Sequence, residues 1–473
     1  MVAGGVQLSY FLDITGDTTA DDSAPDNVND ERFMTTESPQ VPRTFFQYVR
    51  SIGPGIVIAL TWLGAGDLVD SAVAGGNYGY ALMWAMALGL FVRFVFVSII
   101  AKYQLCNQHQ ESVLAGLKRI HPTVPIIVGL MALIFSHFYG AFSVKGAGQT
   151  TAGLFGFPLE QNWDEGFAVM WAVIGFIIVY QGAFFRIEKV ALVLLAMLSV
   201  SLIGVALWAG PNPIAATRGL LLQIPENVGP YGVPLVVVSL IGAVGGSIAN
   251  LLYPYFIQQK GWRGPQYRRL QLYDLAFGTL AVVLLNMAVW TIGAEILKPE
   301  NIVVKELSDL TQLLTQALGP LGGPIFYAGA FAALFSTMVG NATGYGYMLT
   351  DISRLNDSKP VDHDEAKQFS KSRIYIGVAA WSMFSPLIWC LPDMPGFVFL
   401  TVVVNAATVI ILPLLAAGLW YITAAKSCIG EKYGNNILEN LLMLFLFILA
   451  CWGAFVALYE VLSKIGLLPA TSG

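Results

Sequence analysis

Charged residues are scarce in this chain of 473 residues. Asp, Glu, Lys and Arg make up 12% of it, against about a quarter in soluble proteins. The net charge is −5, so no basic face is available to hold phosphates, and we expect no nucleic-acid partner. Hydrophobic types reach 56%, far too many for a disordered chain.

Cysteine, histidine and enzymatic motifs are also sparse. The four cysteines are too scattered for a disulfide framework or a thiolate metal cluster. The four histidines include no pair at metal-ligand spacing. A Gly-rich phosphate loop, a nucleophile elbow and HExxH are all absent. We therefore expect no enzyme, no resident cofactor and no ATP-driven step within this chain.

Residues 1–44 differ from the rest of the chain. Eight carboxylates fall between Asp13 and Glu37, and Arg32 and Arg43 are the only basic residues. This composition predicts a disordered acidic tail. It lacks the basic and apolar regions of a signal peptide.

Long apolar runs fill the remainder of the chain. Each is close to the roughly 20 residues that a membrane-spanning helix needs, and too long for a strand of a membrane barrel. The fold class predicted is an all-α polytopic membrane protein with about 11 transmembrane helices. The predicted spans are 47–75, 79–103, 124–146, 166–183, 188–209, 232–259, 273–296, 322–349, 374–391, 396–423 and 438–463.

The basic residues predict an orientation. With the N-terminus inside, nineteen Lys and Arg lie on the inner side and five on the outer side, and only Arg93 lies deep in a span. By the positive-inside rule we expect a cytoplasmic N-terminus and an extracellular C-terminus, in the plasma membrane.

Two spans carry glycine and polar residues at mid-depth. The first reads GPGIVIALTWLGAGDLVDSAVAGG and the sixth reads GVPLVVVSLIGAVGGSIANLLYPYF. Interrupted helices at matching positions of two halves indicate a transporter site. The alternative is a pair of flexible, closely packed helices.

Asp67 is the central candidate, because an acid inside a membrane span is costly and therefore a functional hypothesis by default. It either contacts an ion, with backbone oxygens freed by the neighbouring glycines, or caps the outer half of a broken helix. Asp70, one turn further out, either lines an outer vestibule, caps the half-helix, or pairs with a lysine such as Lys145.

The sixth span offers oxygen ligands. Ser247, Ala249 and Asn250 follow Gly245-Gly246, and no Met, Cys or His lies there. Oxygen ligands favour Mg²⁺ or Ca²⁺, whereas soft ligands select transition metals. Asn405, in the tenth span, is a further polar candidate, although a buried Asn commonly serves helix–helix hydrogen bonding.

These segments resemble the NRAMP family of divalent-metal transporters. TWLGAGDLVDSAVAGGNYGYALMW resembles the first helix of the family, with Gly64, Ala65, Gly66 and Asp67 at its Asp-Pro-Gly-Asn motif. FRIEKVALVLLAMLS and GAFSVKGAGQTTAGLFGFPLE resemble its fifth helix and the end of its third. The similarity runs over about residues 46–425.

In the sixth span, GGSIANLLYPYF resembles the helix that carries Met-Pro-His in the family, with Ala249, Asn250 and Leu251 at those positions. The resemblance implies a LeuT-like inverted repeat of 5+5 helices plus one, with helices 1 and 6 unwound at mid-membrane. The implied units are residues 45–225, 226–430 and 431–473.

The departures from the family pattern are informative. Its coordinating Asp is replaced by Gly64, its coordinating Asn by Asp67 and its thioether by Ala249, while its proton-linked positions hold Ser143 and Leu251. These changes resemble the NRAMP-related magnesium transporters. By analogy, backbone oxygens of Thr61 and Gly246 complete the site. The predicted ion-site residues are Thr61, Gly64, Asp67, Gly246, Ser247, Ala249, Asn250 and Asn405.

The leading hypothesis is therefore Mg²⁺ transport by alternating access, driven by the electrochemical gradient without proton coupling, with Mn²⁺ also accepted. The alternatives are a proton-coupled Mn²⁺/Fe²⁺ importer of the ordinary NRAMP type, an organic-solute symporter of the same fold, and a non-transporting sensor. The expected partners are a divalent cation as substrate and the lipid bilayer, and the expected oligomeric state is a monomer.

Overall fold

A computed structural model describes residues 65–157, 163–182, 184–245, 247–259, 261–356 and 372–469, together with Pro42 and Gln47. The regular elements of these residues are all helical. The predicted acidic tail lies outside the described residues, apart from Pro42.

Seventeen α-helices are described, and short 3-10 or π segments join several of them. The first nine are α1 Ala65–Tyr78, α2 Met83–Cys106, α3 Val113–Ile120, α4 Thr123–Phe155, α5 Trp163–Tyr180, α6 Phe184–Ala209, α7 Pro213–Gly219, α8 Val233–Leu240 and α9 Tyr253–Gln259. The others are α10 Arg268–Ile292, α11 Leu307–Leu318, α12 Gly322–Arg354, α13 Arg373–Phe384, α14 Phe397–Thr408, α15 Leu412–Ala424, α16 Lys426–Ile429 and α17 Ile437–Lys464.

Eight of the described helical segments are long and apolar enough to cross a bilayer. A ninth span is added if Val193–Ala209 and Pro213–Gly219, which meet at 110°, are counted as one broken span. Every one of the eleven predicted spans overlaps a described helix. The first is described only from Ala65, and the ninth passes from α13 into the 3-10 segment Ser385–Cys390.

Local sequence explains where several helices begin and end. The Asn436 side chain accepts a hydrogen bond from the backbone N–H of Glu439, whose carboxylate accepts one from the Asn436 N–H, which forms a capping box at the start of α17. Asn212 caps α7, which begins with Pro213. Because proline lacks an N–H and has a fixed φ, Pro386 favours the change from α-helix to 3-10 geometry that follows α13.

The sixth span is interrupted, as its glycines predict. α8 ends at Leu240, a π segment covers Ile241–Gly245, a 3-10 segment covers Ile248–Leu252, and α9 follows. A Cβ on Gly245 would lie 2.6 Å from the carbonyl oxygen of Gly89 on α2. Gly245 therefore lets the interruption lie directly against α2, because no larger residue fits at that approach.

Burial orders the spans from the centre of the molecule to its periphery. In the sixth span, 88% of the apolar stretch is buried within the protein, whereas only 28% of the corresponding stretch is buried in α5 and in α17. The remaining apolar surface of α17 includes Leu441, Phe445, Trp452 and Phe455, all exposed. An exposed apolar surface of this kind suits contact with lipid, while the interrupted span lies in the interior.

Candidate functional site

Asp67 occupies the third position of α1 and is 3% exposed. It lies two residues after Ala65, where the described part of the first span begins. Its Oδ2 lies 3.5 Å from Nη1 of Arg93. The capping and ion-contact interpretations of Asp67 both stay predictions.

Arg93 belongs to α2 and is 8% exposed. It follows Gly89 by one helical turn, so it stands just beyond the place where α2 contacts the interrupted sixth span. α2 therefore connects the two unusual segments that the sequence singles out. Arg93 is recognisable in the sequence as the basic residue deep in a predicted span, but no motif predicts its role.

Asp70 is 1% exposed and accepts two hydrogen bonds through Oδ2. Ser239 donates one at 2.8 Å and the Nδ2 of Asn405 donates the other at 2.9 Å. These bonds join α1 to α8 and α14. The structure therefore places Asp70 in the protein interior, and Asn405 serves as its hydrogen-bond donor.

Lys145, one of the alternative partners predicted for Asp70, forms its hydrogen bonds elsewhere. Its Nζ donates to the carbonyl oxygens of Trp389, Met394 and Pro395, at distances of 3.1, 3.4 and 2.9 Å. This lysine thus ties α4 to the segment between α13 and α14. The outer-vestibule role of Asp70 stays a prediction.

The polar residues of the sixth span line its interruption. The Asn250 amide donates to the Gly245 carbonyl at 3.1 Å, and its side chain is buried. Ser247 is 8% exposed, and Ala249 is partly buried. Asn250 thus stabilises the irregular backbone while bringing an amide oxygen, a ligand suited to hard cations, into the interruption.

Tyr139 on α4 connects the sixth span with the first. Its hydroxyl lies close to Ser247 and Thr408, and it is near enough to Asp67 and Arg93 to interact with them electrostatically. Neither Tyr139 nor Ser239 was predicted from the sequence. A tyrosine in an apolar span carries no pattern that would have separated it from ordinary core residues.

The two positions linked to protons in the resembled family lie in the core. Ser143 is fully buried, and Leu251 is 3% exposed within the 3-10 segment. Neither side chain is a proton acceptor at physiological pH. Thr61, Gly64 and Gly246 lie outside the described residues, so their expected contacts stay predictions.

The described part of the chain contains no group of three or more His, Cys, Asp or Glu side chains able to hold a metal ion together. It does contain the buried carboxylate of Asp67, with a guanidinium at 3.5 Å and a second buried acid, Asp70, near enough to interact with it electrostatically.

Comparison with known proteins extends this description. The chain is 24% identical over 303 residues to the divalent metal cation transporter MntH of Verminephrobacter eiseniae, an alignment covering 62% of this chain and 66% of that protein. It is 23% identical over 311 residues to a natural resistance-associated macrophage protein 2 homolog of Dictyostelium discoideum, covering 62% and 47% respectively. The matched region thus spans just under two thirds of the first relative and about half of the second.

Solved structures share the fold. A crystal structure of a mutant manganese transporter of Eremococcus coleocola superposes with a TM-score of 0.70 at 14% identity, over 92% of both chains. The structure of MhsT in complex with L-phenylalanine superposes with a TM-score of 0.54 at 16% identity, over 86% of this chain and 98% of that one. These similarities confirm the predicted LeuT-like helical fold.

A family model described as natural resistance-associated macrophage protein-like matches residues 55–460, which contain every described site residue. The chain therefore belongs to the Nramp family.

Proposed function

We propose that this protein carries a divalent cation across a membrane by alternating access, with Mg²⁺ as the principal substrate and Mn²⁺ also accepted. The observation that carries the proposal is the buried carboxylate of Asp67. Tyr139, which interacts electrostatically with Asp67, also lies close to Ser247, whose hydroxyl is a further oxygen ligand for a cation. Membership of the Nramp family supports divalent-cation transport in general.

The preference for Mg²⁺ rests on the ligand types. Ala249 and Leu251 stand where the resembled family motif has Met and His, so sulfur and imidazole are missing from these positions. Soft ligands favour transition metals, whereas oxygen ligands favour Mg²⁺. Because Mg²⁺ gives up its water reluctantly, a site with few side-chain ligands is compatible with it.

The proposed transport is not coupled to protons. Ser143 and Leu251, at the positions linked to protons in the resembled family, are buried and do not titrate near neutral pH. A doubly charged ion gains about 4.6 kcal/mol from an inside-negative potential of about 100 mV. That energy corresponds to more than about a thousandfold accumulation, so no second ion is required.

The test is ion uptake into proteoliposomes that contain an internal Mg²⁺ dye and a pH dye, with the membrane potential set by a potassium gradient. We expect Mg²⁺ to enter while the internal pH stays constant. Asp67→Ala should abolish uptake. Glu460→Gln is the matched control, because Glu460 is a buried acid on the distant α17.

Ala249→Met tests the selectivity part of the proposal. A thioether at this position should raise the uptake of Mn²⁺ relative to Mg²⁺. Entry of Mn²⁺ together with protons, without any entry of Mg²⁺, would instead identify a proton-coupled importer. One structural neighbour is named a manganese transporter, and manganese is the ion of that second candidate. Uptake of an amino acid in place of an ion would identify an organic-solute symporter.

We also propose that the protein resides in the plasma membrane with its N-terminus in the cytoplasm and its C-terminus outside. The excess of Lys and Arg in the predicted inner segments supports this orientation. Epitope tags at the two ends test it in intact cells. Antibody should reach the C-terminal tag without permeabilisation, and the opposite pattern would refute the orientation.

A further inference from the structure

We propose that Arg93 is the counter-ion of Asp67. Its guanidinium neutralises the Asp67 carboxylate when no divalent cation is bound and moves away when one binds. The inference rests on the proposed function, in which Asp67 contacts the transported ion. It adds a residue that sets ion affinity and lets the empty carrier change its orientation. The side chains of Arg93 and Asp67 are 10% and 3% exposed.

The two groups are close but not tightly joined. Nη1 of Arg93 and Oδ2 of Asp67 are 3.5 Å apart. A charge-assisted hydrogen bond between such groups is about 2.7–2.9 Å long. The attraction is therefore mainly that of two opposite charges in a low-dielectric interior, and it does not require the bidentate geometry that makes an arginine–carboxylate pair rigid.

Electrostatics makes the arginine and the ion competitors. A carboxylate that contacts both a guanidinium and a divalent cation would bring three positive charges to one negative charge. Asp70, a second acid that interacts electrostatically with Asp67, reduces this excess to one positive charge, and Tyr139 carries no charge. The ion therefore binds more favourably when the guanidinium moves away, and the guanidinium returns when the ion leaves.

This competition solves a problem of the transport cycle. In alternating access the carrier must return empty, and an uncompensated carboxylate inside a membrane protein is costly. Arg93 supplies a compensating positive charge from the chain itself. An empty carrier balanced in this way returns without a second ion, as transport without coupling requires.

Removing the positive charge tests the inference. We expect Arg93→Gln to bind Mg²⁺ at least about tenfold more tightly, equivalent to about 1.4 kcal/mol of relieved competition. The same variant should slow net uptake, because its empty form carries a bare carboxylate. Exchange of internal for external Mg²⁺, followed with an enriched stable isotope, should persist because it bypasses the empty carrier.

Two further variants serve as controls. Arg93→Lys keeps a positive charge near Asp67 and should retain net uptake. Lys145→Gln removes another cation from a membrane span, one bound to backbone carbonyls away from Asp67. Its Mg²⁺ affinity and its ratio of net uptake to exchange should match those of the wild type.

The inference is overturned if Arg93→Gln binds Mg²⁺ no more tightly than the wild type, or if net uptake and exchange fall in parallel. Should this variant fail to fold, infrared difference spectra of the wild type with isotope-labelled arginine give the answer. Mg²⁺ should shift a guanidinium band that is missing from Arg93→Lys, and an unchanged band refutes displacement. If the wild type itself neither binds nor transports Mg²⁺ or Mn²⁺, the proposed function fails as well.

Discussion

Gly242, in the π segment of the sixth span, offers a sharp test of how the interrupted helix is held. A Cβ at this position would overlap the backbone carbonyl oxygen of Asn405 and lie 2.9 Å from the hydroxyl of Thr408. Both obstructing groups belong to α14 and its end, and a backbone carbonyl cannot rotate aside as a flexible side chain can. Gly242→Ala should therefore force the sixth and tenth spans apart.

The expected cost follows from this overlap. Overpacking by one methyl in a well-packed interior typically costs about 1–3 kcal/mol, and more where backbone must move. Because Asn405 also donates a hydrogen bond to Asp70 at 2.9 Å, the same displacement should disturb the buried acid. We expect Gly242→Ala to lower both the thermal midpoint in detergent and the rate of Mg²⁺ uptake.

Gly204 on α6 provides the matched control, since a Cβ there would have nothing within 4 Å. Gly204→Ala should be neutral or stabilising by about 0.4–1 kcal/mol, because alanine restricts the unfolded chain more than glycine does. The midpoint is measured by fluorescence-detected size-exclusion chromatography after heating. If Gly242→Ala matched Gly204→Ala in both midpoint and uptake, the close approach of the two spans would be refuted.

Three other substitutions follow from described contacts. Asn405→Leu removes a hydrogen-bond donor to Asp70 and should lower the free energy of unfolding by about 1.5–3 kcal/mol. The half-saturating Mg²⁺ concentration in uptake assays should not change, and a marked rise would show that Asn405 contacts the ion. Trp290→Phe removes the indole that donates to the Gly79 carbonyl at 2.7 Å, so the thermal midpoint should fall by the equivalent of about 1–3 kcal/mol. An unchanged midpoint would refute a stabilising role for this hydrogen bond. Lys145→Met should also lower the thermal midpoint, because three backbone carbonyls lose their hydrogen-bond donor. The ratio of Mg²⁺ uptake to Mn²⁺ uptake should not change, and a changed ratio would refute a purely structural role for Lys145.

The span pattern was readable from sequence because a bilayer imposes a length and a polarity on each helix. Each of the eleven predicted spans overlaps a described helix. The ninth was predicted as one run, but Pro386 lies where its α-helix gives way to 3-10 geometry. The interruption of the sixth span was also predictable, since Gly245 and Asn250 are local signals in an otherwise apolar run.

The polar interior was less predictable. Asp67 and Asp70 were recognised because acids in membrane spans are rare, but both had several possible partners. Ser239 and Asn405 lie 169 and 335 residues away from Asp70 in the chain. No periodicity or local propensity specifies which distant helix meets α1, so these hydrogen bonds could not be assigned before the packing was known.

The sequence by itself determined the membrane class, the approximate spans and the lack of Met, Cys and His in the sixth span, because these follow from residue type and short-range order. Only the tertiary structure decided that Arg93 faces Asp67, since that pairing depends on how two helices pack and on the need to balance a buried charge. It also decided that Lys145 caps backbone carbonyls and not an acid. Residue type identifies which charges are costly to bury, and packing chooses their partners.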